Sequence, residues 1–336
     1  MNKIVTPHSH NREIMKNTEP ALCYDGAKPF ARWQNEAREK LTELLGLAKF
    51  ARCEQLFDVE WEHETETMTE TRFTFQSEEG YFVPCHFCVP KGASGPLPLV
   101  ICVQGHSKGM HVSFGRTHFP GEDPNAGEGD RQFALQIIEN GYCALAIEQR
   151  NFGECGGTPD GPDCYNSAMS ALLLGRTTAA ERVWDVMRAI DVITEHFPQA
   201  DSKKIALMGN SGGGTTTFYT ACLDERIVLA MPSCAVCTYD ASIAAMRHCA
   251  CNFVPRIREY FNMGDLAGLV APRKLIVVAG KEDRIFPLHG VLESYETVKK
   301  MYEAAGATGN CRLVLGEGGH RFYAAQSWPV FHGLFD

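Results

Sequence analysis

The chain has 336 residues, 44 % hydrophobic and 22 % charged, a globular composition that excludes wholesale disorder. Acidic residues outnumber basic ones by 41 to 32, giving a net charge of −9 and a pI near 5.8. That balance, with no basic patch and no apolar run near the ~20 residues of a membrane span, argues against nucleic-acid or bilayer partners.

The N-terminal stretch MNKIVTPHSHNREIMKN lacks the apolar centre of a signal peptide, so a cytoplasmic location is the expectation. The fourteen cysteines are then expected as reduced thiols. Residues 1–25 are polar and unpatterned and read as a tail or wrapping arm. Trp33, Ala37, Leu41, Leu44 and Leu45 recur every three to four residues, which predicts a helix over 31–47 with Gly46 at its C-cap. Between Phe57 and Val89 the period shortens: Thr65–Phe75 and Tyr81–Val89, separated by Glu79-Gly80, predict antiparallel strands at a sheet edge.

From Leu97 onward strands and helices alternate. Apolar strands are predicted at Leu97–Val103, Tyr142–Ile147, Lys204–Met208, Ile227–Met231, Lys274–Ala279 and Arg312–Leu315. Helices are predicted at Arg131–Asn140, Tyr165–Leu174, Thr178–His196, Gly213–Leu223, Leu288–Ala305 and Ala324–Leu334. Cys85, Cys88, Cys102 and Cys143 fall in predicted strands, where cysteine serves as a small buried hydrophobe. Short uninterrupted apolar strands between helices imply an α/β protein with a mostly parallel, doubly wound sheet covered on both faces. An N-terminal helical and antiparallel-strand extension precedes it. The expected division is an extension over residues 1–56 and one catalytic domain over residues 57–336.

The strongest motif is Gly209-Asn210-Ser211-Gly212-Gly213, between an apolar strand and a helix. A G-x-S-x-G turn there holds a serine hydroxyl out from the sheet edge, and a Cβ on either flanking glycine would strike the neighbouring strand and helix. The helix N-terminus turns backbone N–H groups toward a developing oxyanion. No Gly-Lys-Ser/Thr follows, which excludes a Walker phosphate loop. A serine hydroxyl needs a base and an orienting acid, and in such a turn the chain order is serine, acid, histidine. Asp283 follows the strand Lys274–Ala279 and is the expected acid, with Glu282 as the neighbouring alternative and Asp265 as a helix cap. His320, behind Gly318-Gly319 after the last strand, is the expected base. The oxyanion donors are expected to be the N–H of Gly212 and one backbone N–H of Gln104, Gly105 or His106. Glu148 and Arg150 are read as a pair that braces the site, with substrate contact as the alternative.

These residues resemble the α/β-hydrolase superfamily, and more closely its branch of acetyl xylan esterases and cephalosporin deacetylases, the cysteine-rich acetyl xylan esterase-like relatives especially. The likeness runs from Trp33 to the C-terminus. It rests on Leu44-Leu45-Gly46, Gln104-Gly105-His106, Glu148-Gln149-Arg150-Asn151-Phe152-Gly153, Trp184-Asp185, the Ser211 turn, Ala271-Pro272-Arg273, Asp283 and Gly319-His320. It implies an α/β-hydrolase fold and a serine carboxylic-ester hydrolase that deacetylates sugars such as xylo-oligosaccharides, without a cofactor. Since related deacetylases assemble, it also implies a homo-oligomer. The chain departs from those enzymes where Gly212-Gly213-Gly214 replaces Gln-Gly-Gly after the serine. A second departure is Glu148-Gln149-Arg150-Asn151 in place of Asp-x-Arg-Gly. A serine peptidase or amidase, or an esterase of non-sugar esters, is the alternative.

Two features remain. The loop Gly105–Asp130, with His106, His111 and His118, is expected to cover the site. Cys234-Ala235-Val236-Cys237 and His248-Cys249-Ala250-Cys251 have a spacing like that of a zinc site, but its irregularity favours buried or pocket-lining thiols and no metal, with a disulfide within the cluster as the alternative.

Overall fold

A computed structural model describes residues 5–123 and 129–336. The antiparallel lead-in consists of β1 (Asp58–Glu64), β2 (Met68–Glu78) and β3 (Tyr81–Pro90). The parallel strands are β4 (Leu97–Val103), β5 (Cys143–Ile147), β8 (Ala200–Asn210), β9 (Ile227–Ser233), β10 (Lys274–Gly280) and β11 (Cys311–Gly316); β6 (Gly157–Thr158) and β7 (Gly161–Pro162) form a separate small hairpin. The nine-stranded sheet runs β1-β2-β3-β5-β4-β8-β9-β10-β11, antiparallel as far as β5 and parallel beyond. β1 forms one edge, every residue exposed, with Asp58, Glu60, Glu62 and Glu64 at alternate positions.

The helices are α1 (Pro7–Lys16), α2 (Phe30–Leu45), α3 (Phe133–Glu139), α4 (Tyr165–Leu173), α5 (Thr178–His196), α6 (Gly212–Leu223), α7 (Ile257–Tyr260), α8 (Met263–Val270), α9 (Leu288–Ala304) and α10 (Ala324–Phe335). Alternation along each parallel strand divides the core in two, because successive side chains point to opposite faces. Leu99, Ile101 and Val103 of β4 join one cluster with residues of α2, α5, α6, α8 and α9. Val100 and Cys102 join the other, with Phe133 and Ile137 of α3 and Phe331 and Phe335 of α10. The sheet is thus covered by helices on both faces, as the sequence pattern implied.

The predicted helix over 31–47 is α2, closed by Gly46 at φ 79°. Its Trp33 is buried and donates to the Leu22 carbonyl at 2.9 Å, so the N-terminal segment enters the main core. The polar stretch read as a tail contains α1, which Thr6 caps by accepting from the Ser9 N–H and which buries no residue. Asp265 caps α8, as expected: it accepts from the Asn262 N–H at 2.8 Å within a capping box. Among the described residues, no helix is long and apolar enough to cross a membrane.

Candidate active site

β8 ends at Asn210 and α6 begins at Gly212, which leaves Ser211 alone in the turn at φ 56°, ψ −120°. A non-glycine residue held there is strained, and the neighbouring structure enforces it. The Ser211 N–H donates to the Ser233 carbonyl at 2.8 Å, and the Thr215 N–H donates to the Ser211 carbonyl at 2.8 Å. The glycines are required by close approach. A Cβ on Gly213 would collide with the Val103 carbonyl, and one on Gly209 would sit 2.6 Å from the Gly213 carbonyl carbon. Strand, turn and helix therefore hold the serine as the motif predicted.

His320 and Asp283 meet across the loops that follow β11 and β10. His320 Nδ1 lies 2.8 Å from Asp283 Oδ2. The other carboxylate oxygen accepts from the backbone N–H groups of Ile285 at 2.8 Å and Phe286 at 3.0 Å. Burial alone would raise the Asp283 pKa; the hydrogen bond and charge of His320 and those two N–H groups outweigh it, so the carboxyl is held below its ordinary value. The Phe286 ring stacks near-parallel on His320 at 5.8 Å between centroids. Cys234, at φ 46° just past β9, places its Sγ within 4.8 Å of the donor atoms of both residues.

Ser211 and His320 line one cleft of about 250 Å³, together with Gly105, His106, Ser107, Arg131, Asn210, Met246, Arg247, His248, Cys249 and Ile285. A larger groove of about 500 Å³ lies between α1 and residues 252–259, and none of the expected catalytic residues lines it. Of the three candidates for the second oxyanion donor, Gly105 and His106 line the cleft and Gln104 sits behind it. The Gln104 side chain donates to Ser113 Oγ and the Arg131 carbonyl, both at 2.7 Å, while the Gln104 backbone carbonyl accepts from the Gln149 side-chain amide. The His106 ring covers Gly212: a Cβ there would lie 2.7 Å from the imidazole. The described part of the 105–130 loop is packed down by Met110 and Phe114 and lines an adjoining cleft of about 240 Å³. Its residues 124–128 lie outside the described residues.

Three expectations need correction or addition. Glu148 and Arg150 do not pair. Arg150 instead reaches Asp185 through two contacts of 2.8 Å and Glu78 at 3.2 Å, with its guanidinium 3.9 Å from the Tyr81 ring centroid. Asp185 in turn accepts from Ser77 Oγ at 2.6 Å. This buried network joins β2, the β5 loop and α5, a bracing role away from the cleft. Glu148 accepts from the Met110 N–H at 3.1 and 3.2 Å and has no cationic partner among the described residues. Burial pushes its carboxyl up to about 8, opposed by the Met110 and Glu154 N–H groups.

The two cysteine pairs of zinc-like spacing also separate. Cys234 lies with Asp283 and His320, whereas Cys249 and Cys251 lie with His106 and Cys164. Hydrogen bonds from the Cys164 and Cys251 thiols bring Cys249 down to about 3, with Arg182 acting in the same direction and burial opposing.

Arg131 and His248 were not singled out for the cleft by sequence reasoning. Arg131 forms no ion pair with a described residue, and burial and the Arg321 charge lower its pKa. Burial, with the charges of His106 and His320, takes His248 down to about 4, and its Nε2 is buried without a hydrogen-bond partner among the described residues. Their short-range sequence carries no signal, because the placement depends on loops that meet only in the fold.

No protein-family profile matches the chain. A Bacillus subtilis (strain 168) protein named YtaP, a candidate hydrolase, is 26 % identical over 289 residues, covering 85 % of this chain and 93 % of that one. A candidate acetyl xylan esterase of Bacteroides fragilis NCTC 9343 superposes with a TM-score of 0.78 at 17 % identity, covering 93 % of this chain and 82 % of that one. A glucuronoyl esterase of Solibacter usitatus gives 0.71 at 16 % identity, covering 94 % and 96 %. The chain has an α/β-hydrolase fold, the architecture that it shares with these structures.

Proposed function

We propose that the protein is a serine carboxylic-ester hydrolase that removes small acyl groups, acetyl first, from acetylated carbohydrates. The observation that carries this reading is that Ser211, on its strained turn, and His320, hydrogen-bonded to Asp283, line one cleft. Names borne by similar structures, acetyl xylan esterase and glucuronoyl esterase, point to sugar esters. A cleft of about 250 Å³ suits a short acyl chain.

In this mechanism Ser211 Oγ attacks the ester carbonyl while His320 Nε2 takes its proton. The Nδ1 hydrogen bond to Asp283 fixes the ring and stabilises the imidazolium that forms. The oxyanion is received by the Gly212 N–H and by an N–H of the Gly105–His106 turn, held in place by the buried Gln104 side chain. His320 returns the proton to the departing sugar hydroxyl and leaves an acyl-Ser211 ester. It then deprotonates water, which releases the acid and restores the serine. No step calls on a cofactor.

The test is acetate release from acetylated xylo-oligosaccharides, run beside p-nitrophenyl esters from acetate to octanoate. Turnover of the sugar and acetate esters, reduced at least about 10³-fold by Ser211→Ala, is the expected result. Turnover of nitrophenyl esters alone would remove the sugar assignment; loss of neither in the variant would remove the serine mechanism. A second reading concerns the alcohol. Arg131, a cleft cation without an ion-pair partner among the described residues, favours oligosaccharides that also carry a carboxylate. On that reading kcat/KM for uronate-bearing substrates exceeds that for neutral ones, and Arg131→Met removes the difference.

A further inference from the structure

Beside the cleft lies a cluster whose chemistry the proposed mechanism does not use. His106, Cys164, Cys249 and Cys251 each offer one donor atom, and the four atoms all lie within 4.8 Å of one another. His106 Nε2 is 3.1 Å from Cys251 Sγ, and Cys251 Sγ is 3.2 Å from Cys249 Sγ. The donors come from three separate places: the turn after β4, the residue before α4, and the 249–251 turn. Cys164 and Cys251 are buried, and with Cys249 they pack around the fully buried Phe152 as a small satellite core.

Arg182 is an independent observation at the same place. The residue is 3 % exposed, and its guanidinium lies 4.5 Å from the Phe152 ring centroid and donates to Cys164 Sγ at 3.4 Å. Its other hydrogen bonds go to the Arg150 carbonyl at 3.2 and 2.9 Å. Among the described residues, no carboxylate lies within ion-pair distance of it. A cation buried that deeply is stabilised by anionic charge nearby, and the side chain that its guanidinium meets is Cys164 of the cluster, a sulfur that becomes anionic when it ligates a metal.

Three sulfur donors and one imidazole suit zinc, which takes Cys₃His ligands tetrahedrally at about 2.3 Å to sulfur and about 2.0–2.1 Å to nitrogen. Magnesium and calcium require oxygen donors, which the cluster lacks. The charges also close: three thiolates, one divalent cation and one guanidinium sum to zero in a site walled by Phe152. The Arg182 N–H on Cys164 Sγ supplies the outer hydrogen bond that metal thiolates commonly receive.

We propose that His106, Cys164, Cys249 and Cys251 bind one zinc ion in a closed structural site. Binding displaces the thiol protons to solvent and ties three segments together. One of them is the Gly105–His106 turn, so the ion acts on ester turnover by fixing that turn, without touching substrate. The site does not depend on the esterase reading.

The test is metal analysis of the full chain purified under reducing conditions without chelator. One equivalent of zinc per chain is expected. Protein stripped with chelator is expected to bind Co²⁺ with the visible d–d and thiolate-to-cobalt charge-transfer bands of a tetrahedral sulfur site. Cys164→Ser with Cys251→Ser drops the metal below stoichiometry, whereas Cys234→Ser with Cys237→Ser retains it. Ser211→Ala also retains the full equivalent, which separates the metal site from the catalytic reading. Reduced wild-type protein that holds no stoichiometric zinc and takes up no Co²⁺ overturns the proposal, and so does a Cys249–Cys251 disulfide found by peptide mapping of freshly purified protein. Because the Co²⁺ spectrum is read on the wild type, misfolding of a cysteine variant leaves the test intact.

Discussion

Glu148 and Arg150, two residues apart, show how strongly surroundings decide what an ionisable side chain does. Arg150 finds Asp185 and Glu78, so its charge is matched inside the fold. Among the described residues Glu148 finds only backbone N–H groups, and burial raises its carboxyl from 4.5 to about 8. For an acid raised in the folded state, the unfolded chain gives up its proton first. The stability tied to Glu148 is therefore complete below about 4.5 and is lost as pH rises through about 8. Thermal melts from pH 4 to 9 should show wild-type Tm falling relative to Glu148→Gln across that window. A constant difference between the two proteins would mean that the fold does not raise the Glu148 carboxyl above its unfolded value. The positions of both residues were visible in the sequence, but their partners were not: Arg150 and Asp185 are 35 residues apart and belong to different elements.

At the scale of elements, legibility followed how local the determining physics was. The predicted strand over Leu97–Val103 and the predicted helix over Thr178–His196 have those observed bounds, since the apolar residues that mark them are local to each segment and Thr177 caps the helix directly before it. The Ser211 turn was readable because close approach demands glycine at fixed offsets. By contrast α1 presents no apolar stripe and buries nothing, so no periodicity marked it. The cysteine cluster joins residues as far apart as His106 and Cys251, 145 positions, and the sequence spacing grouped Cys249 and Cys251 with Cys234 and Cys237, which lie elsewhere, rather than with Cys164 and His106. The elbow also gives a prediction. In Gly213→Ala the new methyl meets the backbone carbonyls of Val103 and Gln104, which belong to a core strand and its turn and cannot swing aside. A loss on the order of 3 kcal/mol is expected in urea unfolding, with ester turnover falling further than the folded fraction does, because Ser211 moves. Wild-type activity in a stable Gly213→Ala protein would show that the elbow tolerates displacement.

For the molecule as a whole, the question is whether the N-terminal extension is a separate unit. Trp33 fills a site against Gly268 of α8 and contributes to the same core as β4, β8 and β10. Its ring also meets Phe30 at 5.4 Å and Tyr24 at 5.5 Å, so the segment before α2 is packed through it. Trp33→Ala should cost about 3–5 kcal/mol and shift one cooperative transition monitored by both circular dichroism and activity. A variant in which activity survives past an early, separate unfolding step would establish the extension as an independent domain.

The exposed strand β1 also bears on how copies of the chain meet. It ends the sheet, and no described strand pairs with its outer side. Its four acidic side chains recur at every second residue, with Arg72 engaging Glu60 and Lys91 engaging Glu64 from within the chain. A second molecule continuing the sheet there would set a row of carboxylates beside its own at the spacing of neighbouring strands, and the bulge between Val59 and Trp61 would break the register. The rim therefore works as a guard against ribbon growth, and it directs any assembly of this protein to a different face.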